Sequence, residues 1–454
     1  MAMMRERALF FSRTAIFSAI WLAELMAGEG ACAQATSIPV PTPTQVKWEE
    51  DGIGIFVHWA PNVYQGRQFD HDSTPVNKIN PDRFDANAIA QAAKSSHAKY
   101  LIFVAKHAGG YCAWQTDTTD YSLKTSPWQN GKGDMVGDMA TACQKAGLLF
   151  GVYLSPFSAI DHAGGGGKAA HPADQTKYNE IYRRQLTELL TRYGPIFEVW
   201  FDGGIIVPVN DVIASLAPSA ITFQGTRAGS SRWVGTEHGF APYPCWNTID
   251  WKEGEVPHAG AGTPTGSLWC PAECDVSILR PDWFWYPGCE KKVLSLNQLL
   301  EIYYMSVGRG VNMLLNITPD DHGEVPTSEV QVLKQFGDEI TARFSTPMAK
   351  VSGTGTRLDL PLPGNNTIDH LFIAEDIRQG ERVRQFTIQA CGPDNTWRDL
   401  YHGSQIGVRQ LVPIPAVQAS ALRLTVTDSV AEPIIREFAV FNVQRPVPPA
   451  AYRH

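Results

Sequence analysis

Between residues 52 and 319 the chain repeats one theme. A short apolar run breaks off into polar or aromatic residues, and in most cases a stretch with apolar positions three to four apart follows. The runs are GIGIFVHWA (52–60), KYLIFVAKHAGG (99–110), LLFGVYLSP (148–156), IFEVWFDGG (196–204), AITFQG (220–225), RWVGTEHG (232–239) and GVNMLLNITP (310–319). Near-continuous apolar runs of this length mark strands buried on both faces. The intervening segments 85–94, 135–146 and 176–193 have helical spacing. Strands alternating with helices predict a parallel sheet. Seven or eight such units over roughly 300 residues is the size of a (β/α)8 barrel of the TIM type. An open doubly wound sheet would carry a glycine-rich phosphate turn after its first strand, and none stands there. The glycines at 164–167 are not tied to a strand–turn–helix step, so they read as a loop near the site rather than a phosphate cradle.

After about residue 344 the pattern shortens to alternating runs such as HLFIAEDI, RVRQFTIQA, LRLTVTDS and IREFAVFNV, separated by Gly, Pro, Asn and Asp. That alternation predicts an antiparallel β-sandwich. The expected organisation is a barrel over 48–344, a sandwich over 345–447 and a tail over 448–454. The sandwich is expected to support the barrel structurally. Upstream, 34–47 is rich in Pro, Ser and Thr and reads as a linker. Residues 1–33 read as an export signal: Arg5, Arg7 and Arg13 precede an apolar run, and Ala31-Cys32-Ala33 forms a cleavage pattern before Gln34. The run is short for a membrane span and is interrupted by Glu24. An exported chain, periplasmic or secreted, is expected.

Composition narrows the partners. A net charge of -8 gives no basic face for nucleic acid or an anionic membrane, so a neutral substrate fits better. Thirteen Trp and 14 Tyr suit stacking on sugar rings, although aromatics are also ordinary core material. Cleavage before Gln34 leaves Cys112, Cys143, Cys245, Cys270, Cys274, Cys289 and Cys391, an odd number in an oxidising compartment. The spacing of the middle four matches no zinc module, so one or two disulfides in barrel loops are expected, with no metal and no cofactor.

The polar residues at the strand ends carry the chemistry. His58, Trp59, Lys106, His107, Tyr153, Trp200, Asp202 and Glu237 all fall at or just past the C-terminal ends of barrel strands, where a barrel builds its active site. Each taken alone reads better as a satisfied structural residue than as a catalytic one, Asp202 as a turn cap. Packing alone would favour Val, Ile and Leu at these places, so the joint pattern points to a site. Glycoside cleavage needs one group on the anomeric carbon and another to protonate the leaving oxygen. Asp202 and Glu237 can fill these roles. Glu273 in WCPAECDVS is the rival acid, and Glu253 and Glu255 lie on a segment that reads as loop.

The phrases GIFVHWA, FVAKHAGGYCAW, TTDYSLKTSPWQNGKGDMV, GVYLSPF, EVWFDGG, RWVGTEHG, DVSILRPDWFW and LLNITPDDHG, in this order, resemble those of the α-L-fucosidases of glycoside hydrolase family 29. The resemblance runs from Trp48 to about Gln444. TDYSLKTSPWQNGKGD, RWVGTEHG and ECDVSILRPDWF further resemble the branch that prefers α-1,3 and α-1,4 fucosyl linkages, as in Lewis-type glycans. The resemblance implies a retaining hydrolase with Asp202 as nucleophile and Glu237 as acid/base. It also implies that His58, Trp59, His107, Tyr153 and Trp200 surround the sugar, with Trp283 under the fucose methyl. Two departures stand out. Ala108 replaces the second His of the common KHHDGF phrase, and Thr236 replaces the usual Asn before the acid/base. Neither removes a carboxylate. Hydrolysis of another sugar on the same barrel, or a carbohydrate-binding relative impaired in catalysis, are the alternatives.

Overall fold

The apolar runs form parallel strands β1 (Ile53–Val57), β2 (Tyr100–Lys106), β3 (Leu149–Leu154), β4 (Glu198–Trp200), β5 (Ile221–Phe223) and β6 (Ser230–Trp233). A short antiparallel pair, β7 (Thr248–Ile249) and β8 (Leu268–Trp269), stands in the excursion before β9 (Ala272–Ser277) and β10 (Asn312–Ile317). Eight strands close a barrel in the order β1-β10-β9-β6-β5-β4-β3-β2. The expected helices are present as α2 (Ala86–Ser95), α3 (Met135–Ala146) and α4 (Gln175–Arg192), with α5 (Asn210–Leu216), α6 (Leu296–Met305) and α7 (Thr327–Phe344) completing the outer ring. This is a computed structural model that describes residues 38–69 and 74–452. The expected export signal over 1–33 lies outside the described residues.

Two layers of apolar side chains hold the barrel. One fills its interior with Phe56, Tyr100, Ile102, Val104, Tyr153, Trp200, Ile221, Phe223 and Leu314. The other lies between strands and helices and includes Ile55, Leu101, Phe103, Val199 and Leu315. The period of two along each strand sorts the residues between the layers. Burial of a ring such as Phe56, which is 0% exposed, contributes roughly 1.5–3 kcal/mol. Gly54 is required where it stands, because a Cβ there would lie 2.2 Å from the Tyr100 ring.

The segment expected as linker departs from expectation within its last residues. Helix α1 (Pro43–Asp51) begins inside it, with Thr42 and Gln45 forming a capping box and Pro43 in the first turn. α1 reaches into the barrel: the Trp48 indole donates to Glu198 at 2.9 Å, and Asn312 on β10 donates to the Trp48 carbonyl at 2.7 Å. The eighth barrel strand, β9, was not among the strand-like runs, because its inward positions are Glu273 and Asp275 rather than aliphatic residues.

Beyond α7 a six-stranded antiparallel sheet runs β11-β16-β12-β15-β13-β14. Its strands are β11 (Ala349–Thr354), β12 (Arg357–Glu375), β13 (Val383–Cys391), β14 (Trp397–Gly403), β15 (Gln410–Ser429) and β16 (Ile434–Phe441). β12 and β15 pair along most of their length, with register shifts at 361–366 and 368–370. Such irregularities bend a strand. Leu371, Ile373, Phe386, Leu422, Leu424 and Phe438 fill the core of this sandwich-like domain. It is fastened to the barrel by buried polar contacts. Glu381 accepts from the Asn247 backbone at 3.0 Å, and Gln405 donates to the Cys245 carbonyl at 2.7 Å. The stretch expected as a tail contributes Ala451 to a buried contact with Tyr304 and Leu411.

The expected disulfides are absent among the described residues. All seven cysteines there are free and buried, with Cys143 in α3, Cys274 on β9 and Cys391 on β13. They act as small apolar side chains, which is how buried free cysteine ordinarily behaves.

Candidate active site

The period of two that packs the barrel also builds the site. Glu198, Trp200 and Asp202 alternate along β4 and its extension, so the inward face carries a carboxylate at depth, an indole in the middle and a carboxylate at the rim. Asp202 lines a pocket of about 370 Å³ at the C-terminal end of the barrel, together with Phe56, His58, His107, Tyr153, Trp200, Glu237, Asp275, Trp283 and Phe284. A larger groove of about 910 Å³, lined in part by Lys47, Asp134, Phe150 and Phe197, gathers residues of α1 and α3 and the N-terminal ends of strands, away from these groups.

Asp202 opens to the pocket solvent, yet protein atoms surround its carboxylate on most sides. That crowding raises its pKa above the ordinary aspartate value; the Tyr153 hydroxyl, donating at 2.9 Å, pulls it back, and the Glu237 charge adds to the rise. Tyr153 is itself fixed by rings: it stacks on Trp200 at 5.5 Å and on His107 at 5.7 Å between centroids. Trp200 lies flat on Phe223 at 3.9 Å and donates to Glu273 at 3.0 Å. Glu237, in the loop after β6, faces the pocket and accepts from the Trp283 indole at 3.1 Å.

The histidines are held neutral. Burial and the charge of His107 push His58 well below its usual value. Asn316 gives its amide hydrogens to Ser277 and the Trp283 carbonyl, so its oxygen accepts from His58 Nδ1 at 2.8 Å and leaves Nε2 as the free acceptor. Burial lowers His107 to about 4, and its buried Nδ1 has no partner among the described residues. Neutral rings that can accept or donate suit hydroxyl groups.

Three expected residues stand elsewhere. Trp59 follows inward-facing His58 and so points outward; it is 1% exposed and donates to the Asp320 carbonyl at 3.1 Å. Lys106 also turns away. A register shift between Val104 and Lys106 reverses the side-chain order, placing His107 in the pocket and the Lys106 ammonium against Gln185 at 2.8 Å and over the Tyr182 ring. Burial lowers that lysine to about 8. Glu273 is 0% exposed in the barrel interior, where Tyr100 and Trp200 each donate to it at 3.0 Å. Burial raises both Glu273 and Glu198, and the charge of Glu273 raises Glu198 further. Glu273 does not line the pocket, whereas Glu237 does.

Asp275, Phe56, Gln68, Phe69 and Phe284 line the site without having been anticipated. Asp275 is buried, accepts from the Trp233 indole at 2.6 Å and is raised well above its usual range by burial. Its alternation with Glu273 on the inward face of one strand was the available signal.

A barrel whose small aromatic pocket brings Asp202 and Glu237 together, with Asp275 buried in its wall and neutral histidines beside them, is equipped for acid-assisted displacement at a sugar carbon. The sequence profile of the α-L-fucosidase family matches residues 62–342, more than half of the chain. The chain is 31% identical to Alpha-L-fucosidase 1 of Arabidopsis thaliana, over 89% of this chain and 88% of that protein. A crystal structure of a glycoside hydrolase 29 family member from an unknown rumen bacterium aligns with a TM-score of 0.82 at 31% identity, covering 92% of this chain and 80% of that one. A Ruminococcus gnavus GH29 fucosidase solved in complex with fucose shares the fold, with a TM-score of 0.78 at 23% identity over 90% of this chain and 96% of that one. Matched through its barrel and along most of its length, the chain belongs to the α-L-fucosidase family of glycoside hydrolases.

Proposed function

We propose that this chain is an exported, retaining α-L-fucosidase that removes terminal α-1,3- and α-1,4-linked L-fucose from Lewis-type glycans. One observation carries the catalytic part: Asp202 and Glu237 share a single pocket, each oriented by a different hydrogen-bond donor, Tyr153 and Trp283. The Asp202 carboxylate attacks the anomeric carbon as the bond to the glycosidic oxygen breaks, and Glu237 gives that oxygen a proton. Glu237 then takes a proton from water, whose oxygen displaces Asp202 and releases fucose with its configuration retained. His58, His107 and Trp200 line the pocket as the sugar's neighbours, and Trp283 forms an apolar wall. The linkage preference rests on the phrases TDYSLKTSPWQNGKGD, RWVGTEHG and ECDVSILRPDWF, and export rests on residues 1–33.

The test follows proton NMR during incubation with a Lewis trisaccharide and, separately, with an α-1,2-fucosylated lactose. The proposal requires α-fucose to appear first and only the Lewis substrate to be cleaved efficiently. First appearance of β-fucose would overturn the retaining mechanism. Equal cleavage of the two substrates would overturn the linkage preference.

A further inference from the structure

The bulge at the end of β2 decides which of two adjacent side chains reaches the pocket, and it decides against the electrostatics. Val104 faces the barrel interior and Ala105 the helices, so strict alternation would turn Lys106 inward and His107 outward. The pocket would attract an ammonium, because Asp202, Glu237 and Asp275 line it and no described lysine or arginine does. Lys106 lies instead on the helix side, 1% exposed, in surroundings that offer its charge little. Its Nζ donates to the Gln185 side-chain oxygen at 2.8 Å and stands over the rings of Tyr182 at 4.9 Å and Tyr178 at 5.8 Å. Among the described residues it has no ion pair; Asp161 and Cys112 act on it from farther off, and burial brings it down to about 8.

Gln185, on α4, is the one side chain hydrogen-bonded to that ammonium among the described residues. Its amide donates to the Thr118 hydroxyl at 2.9 Å and to the Cys112 sulfur at 3.7 Å, which turns its oxygen toward Lys106. Without that acceptor a buried cation is left unserved, which is costly. Reversing the bulge would bring the ammonium to the carboxylates of the pocket. The same reversal would draw His107 away from the Tyr153 ring on which it stacks and the Phe284 ring it meets edge-on.

We propose that Gln185 is a positioning residue for sugar binding: by holding the Lys106 ammonium against α4 it keeps that cation out of the pocket and His107 in it. This inference rests on the reading of His107 as a neighbour of the fucose. The experiment compares wild type, Gln185→Leu, Gln185→Glu, Lys106→Met and the double variant Lys106→Met/Gln185→Leu. Three readouts are taken: inhibition by L-fucose, kinetics on an aryl α-L-fucoside, and the NMR resonances of the His107 ring. Gln185→Leu should weaken fucose inhibition and raise KM roughly two- to tenfold, as expected for one hydrogen bond to a sugar hydroxyl. The His107 resonances should lose the ring-current shift imposed by Tyr153 and Phe284.

Gln185→Glu gives the ammonium an anion, Lys106→Met removes the charge, and the double variant removes charge and acceptor together. Each of these should stay within about twofold of wild type. A Gln185→Leu variant that binds fucose as wild type does would overturn the inference. So would a Gln185→Glu or double variant as impaired as Gln185→Leu, since the loss would then belong to the bond with Thr118. Should Gln185→Leu fail to fold, Lys106→Met must restore folding and fucose binding in the double variant, and its failure to do so would overturn the inference equally. A wild-type chain that neither cleaves the aryl fucoside nor is inhibited by L-fucose would instead overturn the proposed function, while the His107 resonances would still test the positioning.

Discussion

Replacing Tyr153 by Phe removes one oxygen and tests how Asp202, the proposed nucleophile, is kept ready to attack. The hydroxyl donates to Asp202 Oδ2 at 2.9 Å, and it is the main influence opposing the rise that burial imposes on that carboxyl. The ring itself stays, because its stacking on Trp200 and His107 needs no hydroxyl. A hydrogen bond to a charged group is worth roughly 1.5–3 kcal/mol, and the lower figure applies where pocket solvent partly replaces it. At 1.36 kcal/mol per unit, the loss raises the Asp202 pKa by about one unit further. The sign is fixed by the chemistry: a nucleophile must be ionised, so the acid limb of kcat/KM, which reports the free enzyme, moves up by about one pH unit. The assay is a pH–rate profile on an aryl fucoside, with melting curves to show that the fold is intact. An acid limb that stays in place, or moves down, would refute the role given to this hydrogen bond.

Glu237→Ala should lower turnover of natural glycans far more than turnover of an aryl fucoside with a good leaving group, and added azide should restore the second step as fucosyl azide of retained configuration. Glu273→Gln should show no such dependence on the leaving group, and finding it there would move the acid/base role to Glu273. Trp48→Phe removes the one donor to Glu198 Oε2 while Glu198 Oε1 already lacks a partner among the described residues, so stability should fall by about 2–4 kcal/mol in urea titrations. An unchanged midpoint would show that the Trp48–Glu198 hydrogen bond is dispensable to the barrel. Reductant should leave the Tm of the folded chain unchanged, since no described cysteine is paired; a marked drop would reveal a disulfide.

How much of this was legible before any coordinates depended on whether a residue followed the ordinary rule for its element. Six barrel strands announced themselves through near-continuous apolar runs, the run at 232–239 meets β6 only at Arg232 and Trp233, and α3 matches the expected 135–146 in full. The eighth strand hid because Glu273 and Asp275 occupy its inward positions; the alternation of Ala272, Cys274 and Val276 was present but too short and too mild to stand out. Helix α1 hid behind Pro and Thr, although Thr42, Pro43 and Gln45 together are a capping signature. The strand ends located the pocket and most of its lining, His58, His107, Tyr153, Trp200, Asp202 and Glu237, but not which of two neighbours faces inward. Alternation of side chains allows only one of His58 and Trp59 to face inward, and a bulge that no composition rule foretells decided between Lys106 and His107. Gln68 and Phe69 follow no strand pattern, so only the folded loop brings them to the site.

The account stands or falls on the covalent step at Asp202. Incubation with a 2-deoxy-2-fluoro-fucosyl fluoride, which slows release of the glycosyl-enzyme, followed by proteolysis and tandem mass spectrometry, reads the attachment site directly. The expected result is one added fluorofucosyl group per chain, on the peptide containing EVWFDGG and localised to Asp202. A label on Glu237, Glu273 or Asp275 would contradict the assignment, and time-dependent hydrolysis with no labelled peptide would contradict the covalent mechanism.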